Sequence, residues 1–234
     1  LLERAGVKPG AAHVHLLGAD GTPAPKTPPF LRSIPIERAL DPMTLVASGM
    51  NGEPLPLLHG GPLRLVVPCW SGNHWIKWLR TIRVARDEAP GFYMQVGYRL
   101  PKQPAPPNAA LKPEDLVPVT TLNVKSLIAR PAHGAQLEPG RHSIRGVAWT
   151  GEGRITKVEV AVDGGPWQPA QLEGPEHRGS WRLWRFAWEA QRPGRHTICC
   201  RATDSEGHTQ PETTPWNRSG YLWNGIDQVE CEVS

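Results

Sequence analysis

The sequence has no apolar run long enough to cross a membrane as a helix, and its mean hydropathy is −0.41. Cysteine is scarce. The four are Cys69, Cys199, Cys200 and Cys231, and none forms a C-x-x-C pair. Neither a zinc site nor a disulfide framework is indicated. Cys199 and Cys200 are adjacent, so in a strand they point to opposite faces and are poorly placed to bond each other. A C-x-x-C-H motif is absent, so no c-type haem attaches to this stretch. Lys and Arg form no block. With 26 basic against 22 acidic residues, the net charge of +4 argues for small anionic ligands more than for nucleic acid. What the chain has in plenty is proline and glycine, 26 and 24 in 234 residues, together with 10 Trp against 3 Tyr and 3 Phe. Pro and Gly interrupt helices and central strands, which excludes long bundles, coiled coils and helical solenoids.

Punctuation divides the chain. Residues 100–108 hold four prolines in nine positions and read as an extended connector continuing to about Pro118. Before it, residues 1–5 read as a helix end stopped by Gly6, 13–17 as a strand, and 18–29 as a loop with four prolines. Residues 36–40 read as a short helix opened by Pro35 and ended by Asp41-Pro42. Residues 45–50 and 53–57 flank Asn51-Gly52, the strongest short hairpin signal. Residues 63–67 and 78–84 read as two further strands. After the connector, apolar/polar alternation recurs over 122–128, 141–149, 157–162, 181–188, 195–202 and 227–233, with turn residues between. Short strands at this spacing predict an immunoglobulin-like sandwich without the Cys-Trp-Cys pin. Trp181, Trp184 and Trp188, interleaved with Arg182 and Arg185, have the look of a basic–aromatic nucleic-acid surface. Alternation accounts for them better: Trp184, Phe186 and Trp188 fall on one strand face, as a sandwich core needs, with Arg185 on the other. His133, His142, His177, His196 and His208 fall in turns or strand ends and read as surface residues.

Several segments, in order, resemble the sulfite oxidase family of molybdenum enzymes. They are Ala12-His13-Val14 with Gly18-Ala19-Asp20, Ser33-Ile34-Pro35-Ile36-Glu37, Met50-Asn51-Gly52-Glu53-Pro54-Leu55-Pro56, His59-Gly60-Gly61-Pro62-Leu63-Arg64 and Trp75-Ile76-Lys77-Trp78-Leu79. Later ones are Gly146-Val147-Ala148-Trp149, Val162-Asp163-Gly164-Gly165, Trp181-Arg182-Leu183-Trp184 and Trp216-Asn217. The resemblance implies an α+β molybdopterin-binding domain, represented in part by residues 1–110. It is followed by an all-β immunoglobulin-like dimerisation domain over 111–234. The implied cofactor is molybdenum on a pyranopterin dithiolene (molybdopterin). The implied reaction is oxidation of sulfite to sulfate by oxygen-atom transfer.

The same resemblance marks the cofactor contacts as Asp20, His59, Arg64, Trp75, Ile76 and Lys77. Cations suit the cofactor phosphate, and acceptors suit the pterin N–H groups. Each has a plainer reading beside it: an Asp-Gly turn for Asp20, a solvated loop for His59 with a surface Arg64, a core edge for 75–77. Tyr98 matches the active-site tyrosine, or closes the domain edge. Arg218 stands one position before the place where relatives carry a pocket arginine, which Ser219 occupies here. It either reaches the pocket by a loop shift or points to solvent. No residue of the chain is assigned as a metal ligand, since none of its cysteines aligns with the family's molybdenum-ligating one.

Two alternatives stand beside the sulfite reading: the molybdenum subunit of a sulfane-sulfur dehydrogenase, and a non-catalytic dimerisation fragment. The resemblance also implies a homodimer, a cytochrome or other electron acceptor, and a periplasmic location; nucleic acid is not among the expected partners. The chain opens Leu1-Leu2-Glu3-Arg4-Ala5-Gly6 without Met or a leader, so further residues are expected upstream. On that expectation the 234-residue chain alone retains no molybdenum, and metal analysis finding it in stoichiometric amount overturns this.

Overall fold

The computed structural model describes residues 1–22 and 24–234. Pro23, one of the four prolines of the 18–29 loop, lies outside the described residues. The chain forms two units. One comprises Leu1–Thr120 and Trp216–Tyr221, the other Thr121–Pro215 and Leu222–Ser234.

The first unit is built on an antiparallel sheet in the order Arg32–Pro35, His13–Gly18, Leu79–Ala85. Alternation along His13–Gly18 turns Val14 and Leu16 inward. There they pack with Ile34, Leu65, Val67, Trp70 and Ile76. The Asn51-Gly52 hairpin forms, with both residues at positive φ (55° and 84°), as a type I′ turn requires. It is shorter than the alternation suggested, Gly49–Met50 against Glu53–Pro54. The preceding Leu45–Ala47 pairs instead with Arg64–Val66. The unit is mostly β with few helices. Its α-helices, Leu2–Ala5, Ile36–Leu40 and Phe92–Gln95, are single turns of four or five residues. Gly6 and Asp41-Pro42 stop the first two early, as their positions in the sequence require.

The proline-rich segment is not an open connector. Arg99–Pro101 and Leu116–Pro118 pair antiparallel, a 3-10 turn over Pro113–Asp115 precedes the second strand, and Lys102 N–H reaches Asp115 O at 2.8 Å. Pro101 and Pro118 close the two strands, where edges are free and a missing N–H costs little, while Pro104, Pro106 and Pro107 lie in the loop between them.

The second unit holds two sheets around one apolar core. The first runs Lys125–Arg130, Gly140–Trp149, Arg182–Ala190, Gln171–Glu173. The second runs Ala135–Leu137, Asp227–Val233, Gly194–Asp204, Ile155–Val162, Gln168–Pro169. Trp184 is 1% and Trp188 8% exposed among Ile144, Val158, Ile198 and Cys200, with Phe186 packed against them. Fully burying a large apolar side chain contributes about 1.5–3 kcal/mol, so this face carries much of the unit's stability. Arg185 stands on the opposite face, paired with Glu173 and Gln171.

His196 corrects the surface reading of the histidines. It is 6% exposed and packs edge-on against Trp188. Its Nε2 lies 2.7 Å from Arg192 O and its Nδ1 2.7 Å from Asp163 Oδ2. Both neighbours are acceptors, so only the imidazolium satisfies both. The Arg192 carbonyl first, and against burial also Asp163, hold its pKa above the ordinary 6.5. Burial works against the Asp163 carboxylate, but the Thr197 N–H and His196 hold its pKa below the usual range. A raised histidine pKa gives stability that is complete below 6.5 and fades as pH climbs through the folded value. His196→Gln is therefore expected to cost about 1–2 kcal/mol near pH 6 and clearly less near pH 9 in urea unfolding. An equal cost at both pH values contradicts a charged His196.

Candidate functional site

Local backbone pairing assembles the site. The 3-10 turn Leu57–His59 ends at Gly60, whose φ of 99° few side chains tolerate. A Cβ there would lie 2.8 Å from Lys77 Cβ and 2.9 Å from its Cγ, so the Lys77 stem crosses directly over the glycine. The loop is tied to the 75–79 segment throughout. Trp78 N–H donates to Gly60 O at 3.1 Å, Leu79 N–H to Leu63 O at 2.7 Å and Leu65 N–H to Ile76 O at 2.8 Å. Side chains add to the clamp: Trp78 Nε1 donates to Leu57 O at 2.8 Å and Lys77 Nζ to Leu58 O at 3.0 Å. Arg64 closes it, donating to His59 O at 3.0 Å and Trp75 O at 3.4 Å with its guanidinium 5.8 Å from the centre of the Trp75 ring.

Asp20 arrives from the other side. The ladder slips at Leu17/Gly18, Ala19 N–H then donates to Trp78 O at 2.8 Å, and the Asp20 carboxylate folds back into the space where a Gly18 side chain would stand. A cavity of about 420 Å³ results, lined by Asp20, Trp75, Ile76, Lys77 and Tyr98. These are five of the eight residues singled out in the sequence. Of the other three, Arg64 works as the clamp and the exposed His59 offers it a backbone carbonyl. Arg218 is exposed and does not line this cavity.

Six lining residues were not among those eight: Phe30, Ser71, Gly72, Asn73, Trp78 and Tyr221. Tyr221, three positions beyond Arg218, stacks on Tyr98 at 5.5 Å between ring centres. The Asn217 side chain shapes its loop, accepting from Tyr221 N–H at 2.9 Å and donating to Tyr221 O at 2.9 Å. Phe30 meets the Tyr98 ring edge-on at 5.9 Å. Asn73 lines the cavity with a buried Oδ1 that has no hydrogen-bond partner. The polar run 71–74 is a signal for Asn73. Nothing local marks Tyr221 or Phe30.

The arrangement suits a polar, anionic ligand with a flat donor edge. Lys77 gives one of its three N–H groups to Leu58 O and keeps two. Arg64 keeps one N–H on each terminal nitrogen. Asp20 and the unpaired Asn73 Oδ1 supply acceptors. That donor set fits a pterin carrying a phosphate. No cysteine lines the cavity. Cys199, Cys200 and Cys231 belong to the second unit, where burial raises each thiol pKa, that of Cys200 to about 12.

Comparison with known proteins adds the following. Residues 1–93 match the family model described as the oxidoreductase molybdopterin binding domain, and residues 117–233 that of the Mo-co oxidoreductase dimerisation domain. The mitochondrial sulfite oxidase of Mus musculus is 37% identical over 244 residues, covering 95% of this chain and 42% of that protein. Nitrate reductase [NADH] 2 of Phaseolus vulgaris is 32% identical over 247 residues, covering 96% of this chain and 28% of that protein. Among solved structures, the sulfane dehydrogenase SoxCD of Paracoccus pantotrophus matches with a TM-score of 0.79 at 29% identity, covering 97% of this chain and 56% of that one. The chain thus spans less than half the length of the curated relatives named here.

If the Gly60–Lys77 crossing holds the clamp, Gly60→Ala destabilises the first unit by about 1–3 kcal/mol through backbone strain and crowding. Urea unfolding checks this, and a loss below about 0.5 kcal/mol shows that the loop rearranges freely.

Proposed function

The chain belongs to the sulfite oxidase family of molybdenum enzymes, and from that premise we propose that it supplies part of the pocket for a molybdenum–pyranopterin cofactor and for a sulfur oxyanion. The reaction read from it is oxidation of sulfite to sulfate. The observation that carries the reading is the convergence of Asp20, Trp75, Ile76, Lys77 and Tyr98 on one cavity. When bound, the cofactor provides the oxygen atom transferred to sulfur and takes up two electrons. The protein's share is positioning and electrostatics. Asp20 and Asn73 accept pterin N–H groups, while Lys77 and Arg64 face the phosphate. Trp75 and Ile76 wall the cavity and keep water from the ligand. Tyr98 directs its hydroxyl to an oxygen of the anion, donating a hydrogen bond while keeping its proton.

The likeness to a sulfane dehydrogenase favours a second reading, a bound sulfane-sulfur substrate oxidised by the same cofactor. Both substrates present anionic oxygens to the same cations, so the cavity suits either. The second unit pairs two copies of the chain in this proposal, in line with the dimerisation model matched over 117–233, and electrons leave to a cytochrome or similar acceptor.

In cofactor-loaded full-length protein, Tyr98→Phe is expected to lower kcat for sulfite by about a hundredfold, the usual effect of removing one donor to a reacting oxyanion, with molybdenum content unchanged. Loaded protein that turns over a sulfane substrate but not sulfite supports the second reading. Unaltered sulfite turnover by Tyr98→Phe removes Tyr98 from the site.

A further inference from the structure

Behind the Tyr98–Tyr221 stack lies a charge that the reading above does not use. Arg32, the first residue of Arg32–Pro35, is fully buried at 0% exposure. Its Nη2 lies 3.0 Å from His74 Nε2, while Nε and Nη1 have no hydrogen-bond partner. Its guanidinium sits 5.4 Å from the centre of the Tyr98 ring. No carboxylate among the described residues forms an ion pair with it. The nearest acidic influence is Glu88, which pairs with Arg99 at 3.1 Å. Two guanidiniums thus share one carboxylate, leaving a net single positive charge. Burial first, then the neighbouring Arg99, act to lower the Arg32 pKa, which falls to about 10 while Glu88, Tyr98 and Tyr221 oppose the fall. Arg32 therefore stays charged near neutral pH.

His74 cannot neutralise it. The ring is 1% exposed, and burial followed by the Arg32 charge lowers its pKa to about 3. It is a neutral acceptor. With Nε2 accepting from Arg32, the Val119 carbonyl 3.0 Å from that nitrogen is served instead by Asn73 Nδ2 at 3.4 Å. The arrangement costs free energy, because a buried cation without a carboxylate gives up hydration that nothing fully replaces. Its field, weakly screened at that depth, reaches the cavity through the two stacked phenols.

We propose that Arg32 is a positioning residue for the anion: acting through Tyr98 and Tyr221, its buried charge makes this cavity prefer an oxyanion to a neutral ligand of the same shape. The inference rests on reading the cavity as the substrate side of a molybdenum site, but its test uses no molybdenum. The three tyrosines of the chain, Tyr93, Tyr98 and Tyr221, all lie in this aromatic cluster, so fluorotyrosine labelling reports on it alone. Fluorine NMR of the labelled chain is titrated with sulfate and, separately, with neutral dimethyl sulfone at constant ionic strength. Sulfate is expected to shift the Tyr98 and Tyr221 signals. Arg32→Met should weaken sulfate binding by about tenfold or more and Arg32→Lys by less than about threefold, with sulfone binding altered by neither. Glu88→Gln, which removes the shared carboxylate, should tighten sulfate binding, and it decides the matter if Arg32→Met fails to fold. The proposal is overturned if sulfate shifts neither signal, if Arg32→Met weakens sulfate and sulfone alike, or if Glu88→Gln leaves sulfate affinity unchanged. Arg32-dependent sulfate binding in a protein that proves unable to load molybdenum would leave this inference standing and remove only the cofactor reading.

Discussion

The crossing of Lys77 over Gly60 organises the rest of the first unit. Once the lysine stem lies on that glycine, the backbone bonds from Trp78 to Gly60 and from Leu79 to Leu63 fall into register. Leu79–Ala85 can then run on as the outer strand beside His13–Gly18. The same pairing points Arg64 at Trp75, and Trp78 O receives the Ala19 N–H that delivers Asp20. Four residues of the site thus depend on one close approach. It needs a residue without a side chain that also accepts a φ of 99°.

Charge is handled differently in the two units. In the second it is largely neutralised at or near the surface. Arg185 meets Glu173, Arg201 meets Glu159, and His196 meets Asp163 in a pair that uses every polar atom of the ring. Such pairs fix register and contribute modestly. In the first unit a guanidinium is buried with two of its nitrogens unpaired. A chain selected only for stability would gain by replacing it with an apolar side chain, so its retention beside the two tyrosines fits a functional role more than a folding one.

Much of this was legible in the sequence where the signal was local. Asn51-Gly52 announced its turn because both residues tolerate positive φ. The alternation of Trp184, Phe186 and Trp188 announced a core face because a strand has a period of two. The cluster at Asp20 and 75–77 was legible only through likeness to a family, since no spacing rule joins residues so far apart. The errors came where a local pattern met a distant partner. Leu45–Ala47 paired with Arg64–Val66 instead of across its own turn, and the two ends of the supposed connector paired with each other. His196 looked like a surface histidine because nothing near it in the chain reveals Asp163. Arg32 was not singled out, since sequence does not show which arginine is buried.

The excursion 216–221 has a kinetic meaning. Tyr221 belongs to the first unit by its contacts, yet it follows nearly all strands of the second unit in the chain. This aromatic wall of the cavity is therefore made after most of the second unit. Until the ribosome has released that stretch, Tyr98 lacks its stacking partner. Any ligand that requires the completed stack can be captured only after nearly all strands of the second unit have been made. Truncated or stalled products would be blind to it, a built-in order of events that follows from connectivity alone.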